Sequence, residues 1–245
     1  MARTFYDNLA INQDIELDLS MLEATGAITH DESKNHIIAT LHNTPIWQAL
    51  AAGRYGLRFH EANSEYLDAP VADTTALNFT STDYSLAVWL SAGHYDDDDM
   101  IIMGRYSVDA APAHIPGSGW ELYYYDPNNT ITLRHSHNSL APNLTSSSFS
   151  RGWTYDGDMH LFGATRIGGA MQHYRDGYPI ATTVEASGML DPDTNVTYDL
   201  VIGCRFTKDT HYWHGRLHRP RAWSRGLSDD DHRFIWEMER DWFGV

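Results

Sequence analysis

Several groups of residues carry side chains that could bind a cation or a sugar. Asp96-Asp97-Asp98-Asp99 concentrates hard oxygen ligands in a predicted loop, and Asp191-Pro192-Asp193-Thr194-Asn195 has the alternating oxygens that open a calcium loop. Neither completes such a motif: Val196 stands where the tight turn needs glycine, and Ile202 stands where the loop closes on glutamate. Asp96, Asp97, Asp98, Asp99, Asp191 and Asp193 are therefore the candidate ligands if calcium is a cofactor, against the plainer reading of two solvated loops. In Trp120-Glu121-Leu122-Tyr123-Tyr124-Tyr125, strand alternation puts Glu121, Tyr123 and Tyr125 on the wetter face, where the tyrosines would stack on a sugar or pack against a neighbouring subunit. Tyr212 and Trp213, within His211-Tyr212-Trp213-His214, form a similar cluster near a predicted turn. His135 and His137 share a strand face, as do His214 and His218, but the sequence places no third ligand beside either pair, so exposed or hydrogen-bonded histidines are expected.

The elements that must position these groups are mostly strands. Period-2 patterning dominates: Ile15, Leu17 and Leu19 point one way, while Leu86–Leu90 and Met100–Met103 read as strands buried on both faces. Asp176-Gly177 after an alternating run predicts a tight hairpin, because glycine accepts the positive φ that such turns need. A second hairpin is predicted around Asp126-Pro127-Asn128-Asn129, and the Ser-rich stretch from Ser136 to Gly152 reads as a surface loop. Ser228-Asp229-Asp230-Asp231 sets a capping oxygen and acids ahead of Ile235, Met238 and Trp242 at helical spacing, so one helix, about 228–242, closes the set of strands.

Composition bounds the rest. The chain has 245 residues, 42% of them apolar, enough for one all-β domain over 1–245 with a sizeable core. Cys204 is the only cysteine, so an intrachain disulfide is impossible and a buried thiol is expected. The formal net charge is −16, from 24 Asp and 9 Glu against 15 Arg and only two lysines, Lys34 and Lys208. That balance argues against nucleic acid as a partner, which requires clustered cations. Abundant aspartate with scarce lysine fits a halophilic source, where salt screens surface repulsion. The N-terminus lacks the apolar core of a signal peptide and no apolar run approaches a bilayer span, so membrane insertion and export by the general pathway are not expected. Four Asn-x-Ser/Thr sequons, at Asn78, Asn128, Asn143 and Asn195, permit glycosylation without implying it.

The order of segments resembles a known family. Asn78 to Leu90 looks like its hydrophobic strand ending in Trp89, Met159 to Arg166 followed by Tyr174-Arg175-Asp176-Gly177 looks like its central hairpin, and Gly215 to Ser228 looks like its closing strand and helix entry. The family is the laminin-G-like, concanavalin-A-like jelly roll, which includes pentraxins and many sugar-binding modules; the resemblance covers about residues 10–245. It implies an all-β, two-sheet antiparallel jelly-roll sandwich with a short C-terminal helix. Laminarinase-like members carry Glu-x-Asp-x-x-Glu on one strand for retaining hydrolysis. The nearest match here, Glu16-Leu17-Asp18, lacks the third acid and reads as a solvent-facing pair, so no enzyme activity is expected. Two functions follow from the resemblance. One is a non-enzymatic component of a virion surface, such as a tail fibre, turret or capsid decoration, that oligomerises with itself, contacts other virion proteins and attaches to host-surface glycans. It would be made in the host cytoplasm without a signal peptide. The other is a soluble carbohydrate-binding lectin, with or without calcium.

The acidic surface has a direct consequence in solution. The thermal unfolding midpoint should rise as KCl increases from about 0.1 M to multimolar, because screening relieves repulsion among the acids; a flat or falling midpoint would remove the halophilic reading.

Overall fold

The computed structural model describes residues 9–81, 83–93, 99–107, 118–125, 130–136, 144–149, 157–168, 170–184 and 191–245. The first eight strands are β1 (Ile15–Asp18), β2 (Ile28–His30), β3 (Ile38–His42), β4 (Ile46–Ala49), β5 (Tyr55–Phe59), β6 (Tyr66–Ala69), β7 (Tyr84–Ala92) and β8 (Asp99–Ser107). The remaining eight are β9 (Ser118–Tyr125), β10 (Thr130–Ser136), β11 (Leu144–Phe149), β12 (His160–Ile167), β13 (Ala170–Arg175), β14 (Tyr178–Val184), β15 (Leu200–Ile202) and β16 (Gly215–Trp223). They form two antiparallel eight-stranded sheets. One runs β14-β13-β12-β7-β16-β5-β4, with β1 also on β16; the other runs β11-β10-β9-β8-β15-β6-β3-β2. The α-helix α1 (Asp229–Glu239) follows the last strand. The expected two-sheet sandwich with one C-terminal helix is what the chain forms.

Apolar alternation builds the core between the sheets. Leu86, Val88 and Leu90 of β7 meet Trp120, Leu122 and Tyr124 of β9 and Ile131 and Leu133 of β10 in one buried cluster. The opposite face of β7 is also buried: Ala87 and Trp89 join Leu161, Trp223, Leu227 and Ile235 in a second cluster beneath α1. All nine residues of β7 are buried for this reason. The predicted hairpin is a two-residue turn, with Arg175 opposite Tyr178 and positive φ at both Asp176 (51°) and Gly177 (79°). Tyr125 opposite Thr130 confirms the β9–β10 hairpin, although its turn residues 126–129 lie outside the described residues. Ser228 caps α1 by accepting from the Asp231 N–H, and the Asp231 carboxylate accepts from the Ser228 N–H in return. The Cys204 thiol is buried as expected.

Four expectations fail here, each for a physical reason. Glu16 and Asp18 do not face solvent; both are buried, because cations and amides from distant segments meet them. Asp18 accepts a two-pronged bond from Arg219 (2.9 and 2.8 Å), and Glu16 accepts from Lys34 (2.8 Å), Asn35 (2.9 Å) and Ser224 (2.8 Å). Ile15 parts from Leu17 and Leu19, since the ladder to β16 shifts register between Ile15 and Leu17 and places Ile15 in the cluster under α1. Met238 is 58% exposed, whereas the buried face of α1 carries His232, Ile235 and Glu239. The Ser-rich stretch contains a strand, β11, paired residue for residue with β10; an edge strand needs backbone pairing and not apolar alternation.

Glu239 explains why a charged residue lies on the buried face of α1. Its carboxylate accepts from Arg221 (2.8 Å, to both oxygens), Arg219 (2.5 Å) and the Trp89 indole N–H (2.7 Å). Despite burial, which opposes ionisation, the adjacent Arg221 and Arg219 hold its carboxyl below the usual glutamate range. Glu239→Ala should lower stability by about 3–5 kcal/mol in urea unfolding, because the buried Arg221 guanidinium loses its counter-charge while Arg219 keeps only Asp18; a loss below about 1 kcal/mol would contradict this. A second test uses pH. Burial pushes His218 down to about 4 and His232 down to about 3, so both are neutral in the fold and take up protons on unfolding. Their contribution is present above the ordinary histidine value of about 6.5 and declines as pH falls toward the folded values. Replacing either histidine should flatten the stability–pH slope between about pH 6.5 and 4.

Candidate functional site

On its outer face the second sheet presents a half-buried cluster of aromatic and charged groups. Cross-strand pairing sets His42 opposite Tyr66 and Thr40 opposite Asp68, so these side chains share one face while Leu41, Leu67 and Ala69 turn inward. The His42 and Tyr66 rings stack 4.5 Å apart at 10°, and Tyr212 lies 6.5 Å from Tyr66. Tyr212 comes from the long connection between β15 and β16, and its hydroxyl donates to the Lys208 carbonyl (2.8 Å). Lys208 itself adopts a left-handed backbone, φ 61°, and donates to Asp68 (2.5 Å) and Asp199 (2.8 Å). Asp68 also meets His42 Nε2 at 2.9 Å, and Asp199 accepts from the Val71 N–H. Burial alone would lower the Lys208 pKa, but hydrogen bonds and charge from Asp199 and Asp68 hold it well above the usual lysine value.

Chemically this is a rigid platform. Two tyrosines and a histidine supply flat apolar faces beside an ammonium and two carboxylates, the combination that packs on a sugar ring while bonding to its hydroxyls. Partial exposure leaves the groups reachable, with the Lys208 side chain 26% exposed.

The other residues singled out from sequence lie apart from it. Tyr212 belongs to the platform, but Trp213 is buried in the central core and offers no face to a ligand. The correction follows from the connection ahead of β16, where the Trp213 N–H donates to the Gly203 carbonyl and the ring joins the core. Tyr123 is buried too, at 9% exposure, and the Arg134 guanidinium lies 4.6 Å over its ring and 4.7 Å over that of Tyr106. Arg134 pairs with the buried Glu121, so the face expected to be wetter is occupied by an ion pair and its flanking rings. Tyr125 is half-buried at the end of β9. Asp96, Asp97 and Asp98 lie outside the described residues, and Asp99 begins β8. Asp191 is ion-paired with Arg166 (2.6 Å), and the Asp193 carbonyl accepts from Gly119. Among the described residues no cluster brings Asp99, Asp191 and Asp193 together as hard-oxygen ligands. Of the sequons, Asn195 is fully buried, its side chain accepting from the Thr197 and Tyr198 amides; Asn128 and Asn143 lie outside the described residues. His135 is buried and meets the Tyr84 hydroxyl, as a hydrogen-bonded histidine should; His137 lies outside the described residues. His42, Tyr66, Asp68, Asp199 and Lys208 were not singled out. The signals available were the aromatic-polar alternation at Tyr66 and Asp68 and the scarcity of lysine.

Two packed antiparallel sheets closed by one short C-terminal helix define a jelly-roll sandwich. The chain belongs to the concanavalin A-like lectin/glucanases superfamily, whose family model Laminin_G_3 matches residues 62–231. No curated protein matches it. Solved structures do: the binding domain of botulinum neurotoxin DC in complex with SialylT aligns at TM-score 0.67 and 11% identity over 94% of this chain and 52% of that one. The binding domain of Paraclostridial mosquitocidal protein 1 aligns at TM-score 0.67 and 11% identity over 93% and 53%. A botulinum neurotoxin type C structure, whose cell entry depends on interaction with two ganglioside molecules, aligns at TM-score 0.60 and 11% identity over 93% and 52%. The chain spans about half the length of these structures, and the likeness is one of fold.

Trp213 as core has its own test. Trp213→Ala should destabilise the fold by about 3–5 kcal/mol in denaturant unfolding, as a large buried ring lost from a packed interior does; near-neutral stability would return it to the surface.

Proposed function

We propose that this chain is a non-enzymatic carbohydrate-binding module that attaches its carrier to glycans on a cell surface. The observation that carries the reading is the Tyr66–Tyr212–His42 platform with Asp68, Asp199 and Lys208 at its side. Two further facts support it: superfamily membership, and fold neighbours that include a neurotoxin binding domain in complex with SialylT and a neurotoxin whose cell entry depends on interaction with two ganglioside molecules. The absence of enzyme activity is supported by the acids themselves. Asp18 is held by Arg219 and Glu16 by Lys34 and Asn35, so neither is placed to act as a proton donor or nucleophile on a glycan. Among the described residues no helix is long and apolar enough to cross a membrane. A virion surface is the carrier that the resemblance suggests, with self-association as its mode of display.

On a glycan array the protein should give saturable hits, and Tyr66→Ala and Tyr212→Ala should each weaken them by about tenfold or more, from the loss of about 1–2 kcal/mol of ring contact. Tyr123→Ala should leave them in place. Retention of full binding in both platform variants, or release of sugar from a β-glucan, would overturn the reading. Mass spectrometry of purified particles from the source tests the virion setting, which absence from the particles would remove.

A further inference from the structure

At one rim of the sandwich two of the connections between the sheets, from β5 to β6 and from β15 to β16, come together. Three side chains with metal-ligand chemistry meet there: His60 and Glu61 from the first crossover and His214 from the second, their ligand atoms all within 4.8 Å of one another. The His60 and His214 rings lie 4.8 Å apart, His60 Nδ1 is 3.7 Å from Glu61 Oε2, and that oxygen is in direct contact with His214 Nδ1. Glu61 Oε2 and His214 Nδ1 are both buried atoms, and the one carboxylate oxygen faces both imidazoles at once.

Their backbones are fixed independently of any ligand. The buried Glu65 carboxylate accepts from the His60 N–H (2.7 Å) and the Asn63 side chain (2.9 Å), which sets the 3-10 turn at Glu61–Asn63. On the other side, Trp213 donates to the Gly203 carbonyl (2.8 Å), and the His214 carbonyl accepts from Gly93 (2.7 Å). The His214 ring fills the space that Gly93 leaves open, where an added Cβ would lie 2.1 Å from its Cδ2. Side-chain exposures of 46% for His60, 18% for Glu61 and 22% for His214 leave the solvent side of the cluster reachable.

We propose that His60, Glu61 and His214 form a binding site for a divalent transition-metal ion of the zinc class, clipping the two crossovers together. Ligands about 2.0–2.1 Å from a tetrahedral ion stand about 3.3–3.5 Å apart; His60 and Glu61 are close to that separation, and the His214 ring has to draw back from Glu61 to admit the ion. Two imidazoles with one carboxylate suit zinc, cobalt or nickel and do not suit calcium, which takes six to eight oxygens. Three protein ligands leave a fourth position open on the solvent side. Tyr66 and Tyr212 flank the same two crossovers, so the clip also braces the platform.

The test uses the whole chain, with no affinity tag, stripped with a chelator and then titrated with Zn²⁺ by calorimetry while Ca²⁺ is run in parallel. Expected are one saturable Zn²⁺ equivalent, a rise in the thermal unfolding midpoint on loading, and no calcium response at this site. Glu61→Gln, His60→Ala and His214→Ala should each weaken Zn²⁺ binding by more than about tenfold. His30→Ala, distant in sequence, should not. Glu61→Gln keeps the side-chain shape, and its circular dichroism shows whether the fold persists. With Co²⁺ in place of Zn²⁺, X-ray absorption should show two imidazole ligands. No saturable equivalent, or a binding constant unmoved by Glu61→Gln in a folded variant, would overturn the proposal.

Discussion

A single buried carboxylate, that of Glu239, holds the outer layer of this molecule to its sandwich. A bare charge in that position would be excluded by its desolvation cost, but here both oxygens are matched by guanidinium and indole donors. Arg219 continues the chain of charge to Asp18, so one network spans the first strand, the last strand and the C-terminal helix. The aromatic residues beyond the helix complete the cover: Phe243 stacks on Trp89, and Arg54 lies 4.3 Å over the Trp242 ring. Because Arg219 and Arg221 belong to β16, the network also fixes the strand that begins one residue after His214.

The same logic of matched charge separates two regions of the second sheet's outer face. Around Tyr123, Arg134 and Glu121 close over the rings and use up the aromatic surface. Around Tyr66, Lys208 is drawn sideways between Asp68 and Asp199 and leaves the rings partly open. Both regions contain tyrosine on a strand, and the position of one cation decides which keeps its rings open. Ordering groups in advance lowers the entropic cost of binding, as the proposed glycan recognition would use.

What could be read from the sequence was local. The Asp176-Gly177 turn, the Ser228 cap, the doubly buried β7 and the buried Cys204 depend on neighbours within a few residues, and the order of such segments carried the family resemblance. What could not be read depends on pairs brought together by sheet register. Glu16 and Asp18 look solvent-facing until Lys34 and Arg219 arrive, one of them from the far end of the chain. His42 finds Tyr66, and Glu61 finds His214, only once the strands are aligned. Trp213 misled because aromatic clusters near turns look alike whether the ring points in or out. The strand β11 was hidden because edge pairing leaves no apolar period in the sequence.

The central claim is that ligand recognition sits on the Tyr66–Tyr212 platform. The most direct measurement is the perturbation of backbone amide resonances as a bound glycan is titrated in. The account predicts saturable shifts centred on His42, Tyr66, Asp68, Lys208 and Tyr212, with β9 and β10 unmoved. Shifts centred on Tyr123 and Tyr125, with the platform silent, would contradict it.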